Sequence, residues 1–139
     1  MLVQSGVAKI VWDNALDPIV RLYYPERFSD DEWLAHLAEA ERLLARATPY
    51  AVISYLDGSQ PPNATQRRSA AAFWRSAASR NNNMRGIAFV VSSTVLRGAL
   101  TAVFWIQAPP CDYALFGTEL EALAWARLKL GLARPSHAR

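Results

Sequence analysis

Cysteine is all but missing from this chain of 139 residues: Cys111 stands alone, so no disulfide framework can form within it and no cysteine-based zinc cage can be assembled. Histidine is nearly as scarce, with His36 and His137 the whole supply. His36 falls in a predicted helix on what reads as its solvated side and His137 in a polar tail, so neither is expected to serve a catalytic pair or a metal site, and no cofactor is expected. There is no glycine-rich phosphate loop, no Gly-x-Ser-x-Gly elbow and no His-Glu-x-x-His pattern. Long apolar runs are missing too. The most apolar stretch, around residues 99–106, is far shorter than the ~18 residues a membrane span needs. The N-terminus shows no basic region followed by an apolar signal core, so a cytoplasmic location is expected. Lysine occurs only at Lys9 and Lys129, and the net charge of +3 is modest for a nucleic-acid binder of this size.

What is present points to a packed core. Hydrophobic residues make up 52% of the chain and charged ones 19%, too apolar a balance for a disordered segment, and the length suits one domain, placed at residues 1–131 with a polar tail at 132–139. Val7 to Trp12 alternates partly, Asp13-Asn14 reads as a turn, and Ile19 to Tyr24 follows, closed by Pro25, so an opening hairpin is expected. Ser29 with Glu32 is a helix-start signal, and Trp33, Leu37, Ala40 and Leu44 recur at helical spacing to an end near Ala47. Tyr50 to Leu56 is a short apolar run between Pro49 and Asp57-Gly58, as a buried central strand requires. Asn63 and Gln66 open a second helix running to about Arg80, with Phe73 and Trp74 expected to face the sheet. Gly86 to Val91 reads as the next strand, Ser93 caps a helix from Thr94 to Ile106, and Tyr113 to Phe116 is a short strand. Thr118 with Glu121 opens a last helix carrying Leu123, Trp125 and Leu128. The order ββαβαβαβα predicts an α/β fold: a mixed sheet, parallel at its centre, with helices packed on it.

Several features of that order carry a family resemblance. Asp57 follows the central strand, a Pro61-Pro62 loop comes next, and Arg97-Gly-Ala-Leu-Thr-Ala-Val-Phe-Trp105 forms the third helix. Phe116 then leads into Thr118-Glu-Leu-Glu-Ala-Leu-Ala-Trp125. Over residues 7–130 the chain resembles bacterial SpoIIAA-like domains of the STAS-like class. The resemblance implies a small β/α module of protein–protein regulation, with some related domains taking apolar ligands. Anti-sigma-factor antagonists of this kind carry a regulatory serine in an Asp-Ser-Ser/Thr-Gly context. The corresponding stretch here, Asp57-Gly58-Ser59, departs from that pattern, which leaves Ser59 as a candidate modification site without the motif.

Two readings stand for the Asp57 loop, which follows a central strand where open α/β sheets place ligands. In one, Asp57-Gly58 turns the chain, Pro61-Pro62 stiffens it and Asn63 caps the next helix. In the other, Ser59 or its phosphorylated form sits near helix N–H groups and Arg67 or Arg68, which favour an anion. Arg68 and Arg75 share one helix face and form either a solvated surface or a basic strip for an acidic protein, lipid headgroups or nucleic acid. No nucleic-acid motif accompanies them, so nucleic acid is not expected. The acidic pairs Asp30-Asp31 and Glu119-Glu121 are accounted for by capping.

The third helix is the least ordinary element. Val95, Leu96, Ala99, Leu100, Ala102, Val103, Phe104 and Trp105 leave almost no polar face, and Arg97 is its only charge. Such a helix is either buried within the monomer or covered by a partner or second subunit. The expectation is therefore a non-enzymatic regulatory or scaffold module that binds a protein, or itself as a homodimer, through Asp57, Ser59, Arg68, Arg75, Arg97, Leu100, Phe104 and Trp105. The alternative is a carrier of a small apolar ligand or lipid.

Overall fold

The computed structural model describes residues 9–59, 62–78 and 83–132. Val7, Pro61, the expected helix end at Arg80 and the tail from 133 onward lie outside the described residues, as does His137. The elements are β1 (Val11–Leu16), β2 (Ile19–Tyr23), α1 (Asp30–Leu44), β3 (Tyr50–Tyr55), α2 (Ala64–Ala78), β4 (Met84–Val90), α3 (Thr94–Ile106), β5 (Tyr113–Phe116) and α4 (Glu119–Lys129). They form one five-stranded sheet in the order β1-β2-β3-β4-β5, with β1 antiparallel to β2 and every other pair parallel. This is the expected mixed α/β architecture.

The opening hairpin sits later in the chain than its residues predict. Asp13-Asn14 does not reverse the chain: Asp13 Oδ1 accepts the N–H of Ala15 at 2.9 Å, and the strand bulges between Asp13 and Leu16. The reversal falls at Asp17-Pro18, after which Ile19 pairs with Leu16. An aspartate hydrogen-bonding two residues ahead satisfies a bulge as well as a turn, and the cross-strand ion pair of Asp13 with Arg21 at 2.8 Å holds it inside the ladder.

All four helix starts repeat one device, Thr118 Oγ1 before α4 accepting the N–H of Glu121 at 3.3 Å. Ser29 Oγ accepts the N–H of Glu32 at 3.0 Å, and Ser93 Oγ that of Leu96 at 3.2 Å. Before α2 the exchange is reciprocal. Asn63 Oδ1 accepts from the Gln66 N–H at 2.8 Å, and Gln66 Oε1 accepts from the Asn63 N–H at 3.0 Å. The Glu32 carboxylate, by contrast, reaches away from its own cap and accepts the N–H of Ile10 at 2.8 Å, tying the chain ahead of β1 to α1.

Topology decides which layer each helix joins. Strands β2 to β5 follow one another across the sheet, and right-handed crossovers progressing in one direction leave their helices on one face. Trp33 and Leu44 of α1, Ala77 of α2 and Phe104 of α3 accordingly share a core with Val20, Leu22, Val52, Ile87 and Phe89. Helix α4 has no further strand to reach and covers the opposite face, where Ala122 and Ala126 lie on Ile19, Ala51, Ile53, Ala88 and Val90. Here Gly86 is a packing requirement: a Cβ at this position would lie 2.7 Å from Cη2 of Trp125.

Candidate functional site

The parallel strands place the β2–α1, β3–α2 and β4–α3 connections at one end of the sheet, and the Asp57 loop lies there. Asp57 is committed to its neighbour: Oδ1 accepts the N–H of Ser92 at 2.8 Å and Oδ2 its hydroxyl at 3.1 Å. Gly58 turns the chain with φ +84°, and the Ser59 hydroxyl donates to the Leu56 carbonyl at 2.7 Å. Arg97 Nε donates to the Val91 carbonyl at 2.9 Å. These three residues staple the strand ends to the following loops. Arg68 and Arg75 lie exposed on the outer side of α2, Arg68 within 3.4 Å of the Thr65 hydroxyl.

Helix α3 stands away from the sheet. Phe104 is its one buried residue, its ring 5.1 Å from Phe89, 4.8 Å from Tyr113 and 5.7 Å from Trp74. The sequence suggests Phe104 as part of a binding surface, and at 5% exposure it is a core anchor. Trp105 lies on the other side, 86% exposed, with Val95 at 83% and Ile106 at 80%. The helix is thus neither buried all round nor amphipathic in the ordinary sense, because its solvent side is apolar as well.

Between α2 and α3 a cleft of about 340 Å³ opens over the sheet. Leu96, Ala99, Leu100, Ala102, Val103 and Ile106 form its α3 wall, and Arg67, Ala70 and Trp74 its α2 wall. Tyr24, Phe28, Trp33, Phe89 and Phe104 lie beneath, and Ser59 and Pro62 close one end. The small side chains of Ala99 and Ala102 leave space that leucines would fill. Of the residues anticipated from the sequence, Ser59, Leu100 and Phe104 meet here, while Arg68, Arg75 and Trp105 do not line the cleft. Arg67 Nη1 donates to the Pro62 carbonyl at 2.8 Å at its edge.

Next to the cleft, and sharing Tyr24, Trp33, Ala70, Trp74 and Phe89 with it, is a smaller cavity of about 90 Å³ that holds His36. The sequence reading puts His36 on the solvated side of its helix; the structure corrects this, with His36 only 7% exposed. The reason is angular: His36 is three residues beyond Trp33 and shares its face. Its ring stacks on Trp12 with centroids 5.1 Å apart, and its Nε2 meets the Tyr24 hydroxyl at 3.1 Å. Burial lowers the His36 pKa to about 4, so the imidazole is neutral at pH 7, and burial pushes the Tyr24 phenol well up.

On the opposite face, sequence reasoning missed a polar cluster. Arg21 bridges Asp13 at 2.8 Å and Glu119 at 3.4 Å, the Tyr55 hydroxyl donates to Glu119, and the Tyr23 and Tyr55 rings stack at 4.5 Å. The signal was the alternation Ile19-Val-Arg-Leu-Tyr23, which sends Arg21 and Tyr23 to the face opposite Val20 and Leu22. Cys111 is half-buried, and burial with the charge of Asp112 pushes its thiol up to about 12, which leaves it unreactive at neutral pH. Among the described residues no group of three His, Cys, Asp or Glu side chains could hold a metal ion, and no helix is long and apolar enough to cross a membrane.

The five-stranded sheet, the three helices on one face and the single helix on the other define a domain of SpoIIAA-like fold. The chain is similar to a crystal structure of an uncharacterized protein from the DUF3478 family with a SpoIIAA-like fold, from Shewanella loihica PV-4. The TM-score is 0.59 at 14% identity, over 89% of this chain and 98% of that one. At that identity the likeness speaks for the fold alone. No family model and no curated protein matches the chain.

Proposed function

We propose that this SpoIIAA-like domain is a non-enzymatic binding module whose α2–α3 cleft holds a small apolar molecule. The cleft supports the reading: about 340 Å³ lies within the usual range for small-molecule sites, and alanine, aliphatic and aromatic side chains dominate its lining. The polar groups nearby argue for binding over catalysis. Asp57 is bonded to Ser92 of the next loop, Ser59 to the Leu56 carbonyl of its own, and His36 is a neutral imidazole held by Tyr24 among aromatic rings. Native mass spectrometry after gentle purification, beside titration with an environment-sensitive apolar dye, is the test. A small molecule that co-purifies, or dye bound at one site, is expected, together with its loss in Ala99→Trp, where an indole occupies the cleft. A wild-type chain that carries no molecule and leaves the dye dark would sink the reading.

A second reading rests on a different observation, the apolar side chains that α3 turns to solvent. In it the domain is a regulatory or scaffold module, and a partner protein or a second copy covers α3 with Trp105 as an anchor. Light scattering across a concentration series, run beside Leu100→Glu and Trp105→Ala, separates the two. An association that these substitutions abolish while the fold survives supports an interface, and one they leave unchanged removes it.

A further inference from the structure

Three buried side-chain polar atoms have no hydrogen-bond partner among the described residues: Trp12 Nε1, His36 Nδ1 and Arg21 Nε. The arginine atom belongs to the ion-paired cluster on the other face of the sheet. The other two sit on stacked rings, and both residues line the cavity of about 90 Å³. Buried polar groups are nearly always hydrogen-bonded, so two orphans around one cavity mark a need that the chain itself does not meet. Tyr24 decides what they need. Its hydroxyl bonds only to His36 Nε2 among the described residues, and burial keeps the phenol protonated, so the hydroxyl donates. A neutral imidazole carries one proton, which is then on Nδ1. Both orphans are therefore N–H donors in want of an acceptor.

We infer that the molecule held in the cleft carries one uncharged carbonyl group, which enters the smaller cavity and accepts from Trp12 Nε1 and His36 Nδ1. The inference rests on the cleft reading and narrows the ligand to an apolar ketone, aldehyde or ester. The two spaces adjoin, sharing Tyr24, Trp33, Ala70, Trp74 and Phe89, whereas Trp12 and His36 line the smaller one alone. An apolar body thus lies between α2 and α3 with its head toward α1. A carbonyl oxygen brings two lone pairs and no proton, which suits two donors. A hydroxyl or a water would also accept, but each adds protons that need acceptors of their own. A carboxylate fits poorly, because no charged side chain lines the cavity and an unpaired ion is costly to bury. An anionic head would instead stay at the cleft edge, where Arg67 stands near Ser59.

The test is titration of the full chain with diphenylhexatriene, a hydrocarbon dye dark in water, followed by displacement with 2-decanone. Wild type and Trp12→Phe are expected to bind the dye alike, since it makes no hydrogen bond. Clearing it from Trp12→Phe is expected to take about tenfold more 2-decanone, the worth of a buried donor that gains an acceptor. A second readout needs no variant. Of the five indole N–H proton resonances of the wild type, one is expected to move downfield when 2-decanone is added. A wild type that leaves the dye dark overturns the cleft reading and this inference with it. Dye that binds, with 2-decanone equally effective on both chains and no indole resonance moved, overturns the inference alone and makes water the occupant of the cavity. Decanoate that outcompetes 2-decanone on wild type but not on Arg67→Ser overturns it in favour of an anionic head at the cleft edge.

Discussion

His36 shows how far one residue's surroundings can depart from its polarity. Among Trp12, Tyr24 and Trp33 the imidazole titrates near 4, against about 6.5 for an exposed histidine. Between those values the unfolded chain binds a proton that the folded chain does not, so stability rises with pH across the window. The contribution of neutral His36 is therefore complete above about pH 6.5 and is lost as the pH falls toward 4. The loss is on the order of 3 kcal/mol. Thermal unfolding followed from pH 7.5 to 4 in wild type and His36→Gln tests this. The wild type should lose melting temperature more steeply than the variant, and parallel curves would mean that the imidazole does not stay neutral in the folded protein.

At the scale of elements, α3 separates apolar residues that hold the fold from apolar residues that do not. Phe104 and Trp105 are neighbours of similar hydrophobicity, yet one is wedged among Phe89, Tyr113 and Trp74 and the other stands in solvent. Phe104→Ala is expected to cost about 3–5 kcal/mol, and Trp105→Ala to stay within about 0.5 kcal/mol of wild type, in urea denaturation. Equal losses would show Trp105 to be covered, as a tight self-associated state in solution would make it. The helix starts themselves were legible, because Ser29, Asn63, Ser93 and Thr118 each accept a backbone N–H three residues ahead. The first strand was less so, because Asp13-Asn14 suits a turn and a bulge equally well.

For the molecule as a whole, the second layer depends on one close approach. Helix α4 lies on the sheet through Ala122 and Ala126, and Trp125 spans Gly86 with no room for a side chain beneath it. Gly86→Ala removes some chain entropy from the unfolded state, worth about 0.4–1 kcal/mol in its favour. A methyl 2.7 Å from an indole carbon outweighs that gain, since the ring must move and α4 with it. A net loss of about 1–3 kcal/mol is expected in urea denaturation, with recovery when Trp125→Leu is added. A Gly86→Ala chain as stable as wild type would mean that α4 is free to shift on the sheet.

The order of strands and helices, and hence the fold, followed from local chemistry: side-chain oxygens that cap helices, apolar runs of strand length, prolines and glycines that interrupt them. The candidate site was only partly readable. Ser59, Leu100 and Phe104 were expected at a binding surface and do meet around the cleft, with Arg67 near Ser59 as one reading of the loop had it, but Ala70 and Trp74 of the α2 wall were not expected there. Whether an apolar residue of α3 faces the sheet, the cleft or solvent depends on how far the helix stands from its neighbours. That separation is set by contacts between residues far apart in the chain, such as Phe104 with Phe89 and Trp74. Periodicity reports which residues share a face, and only tertiary packing decides what that face meets.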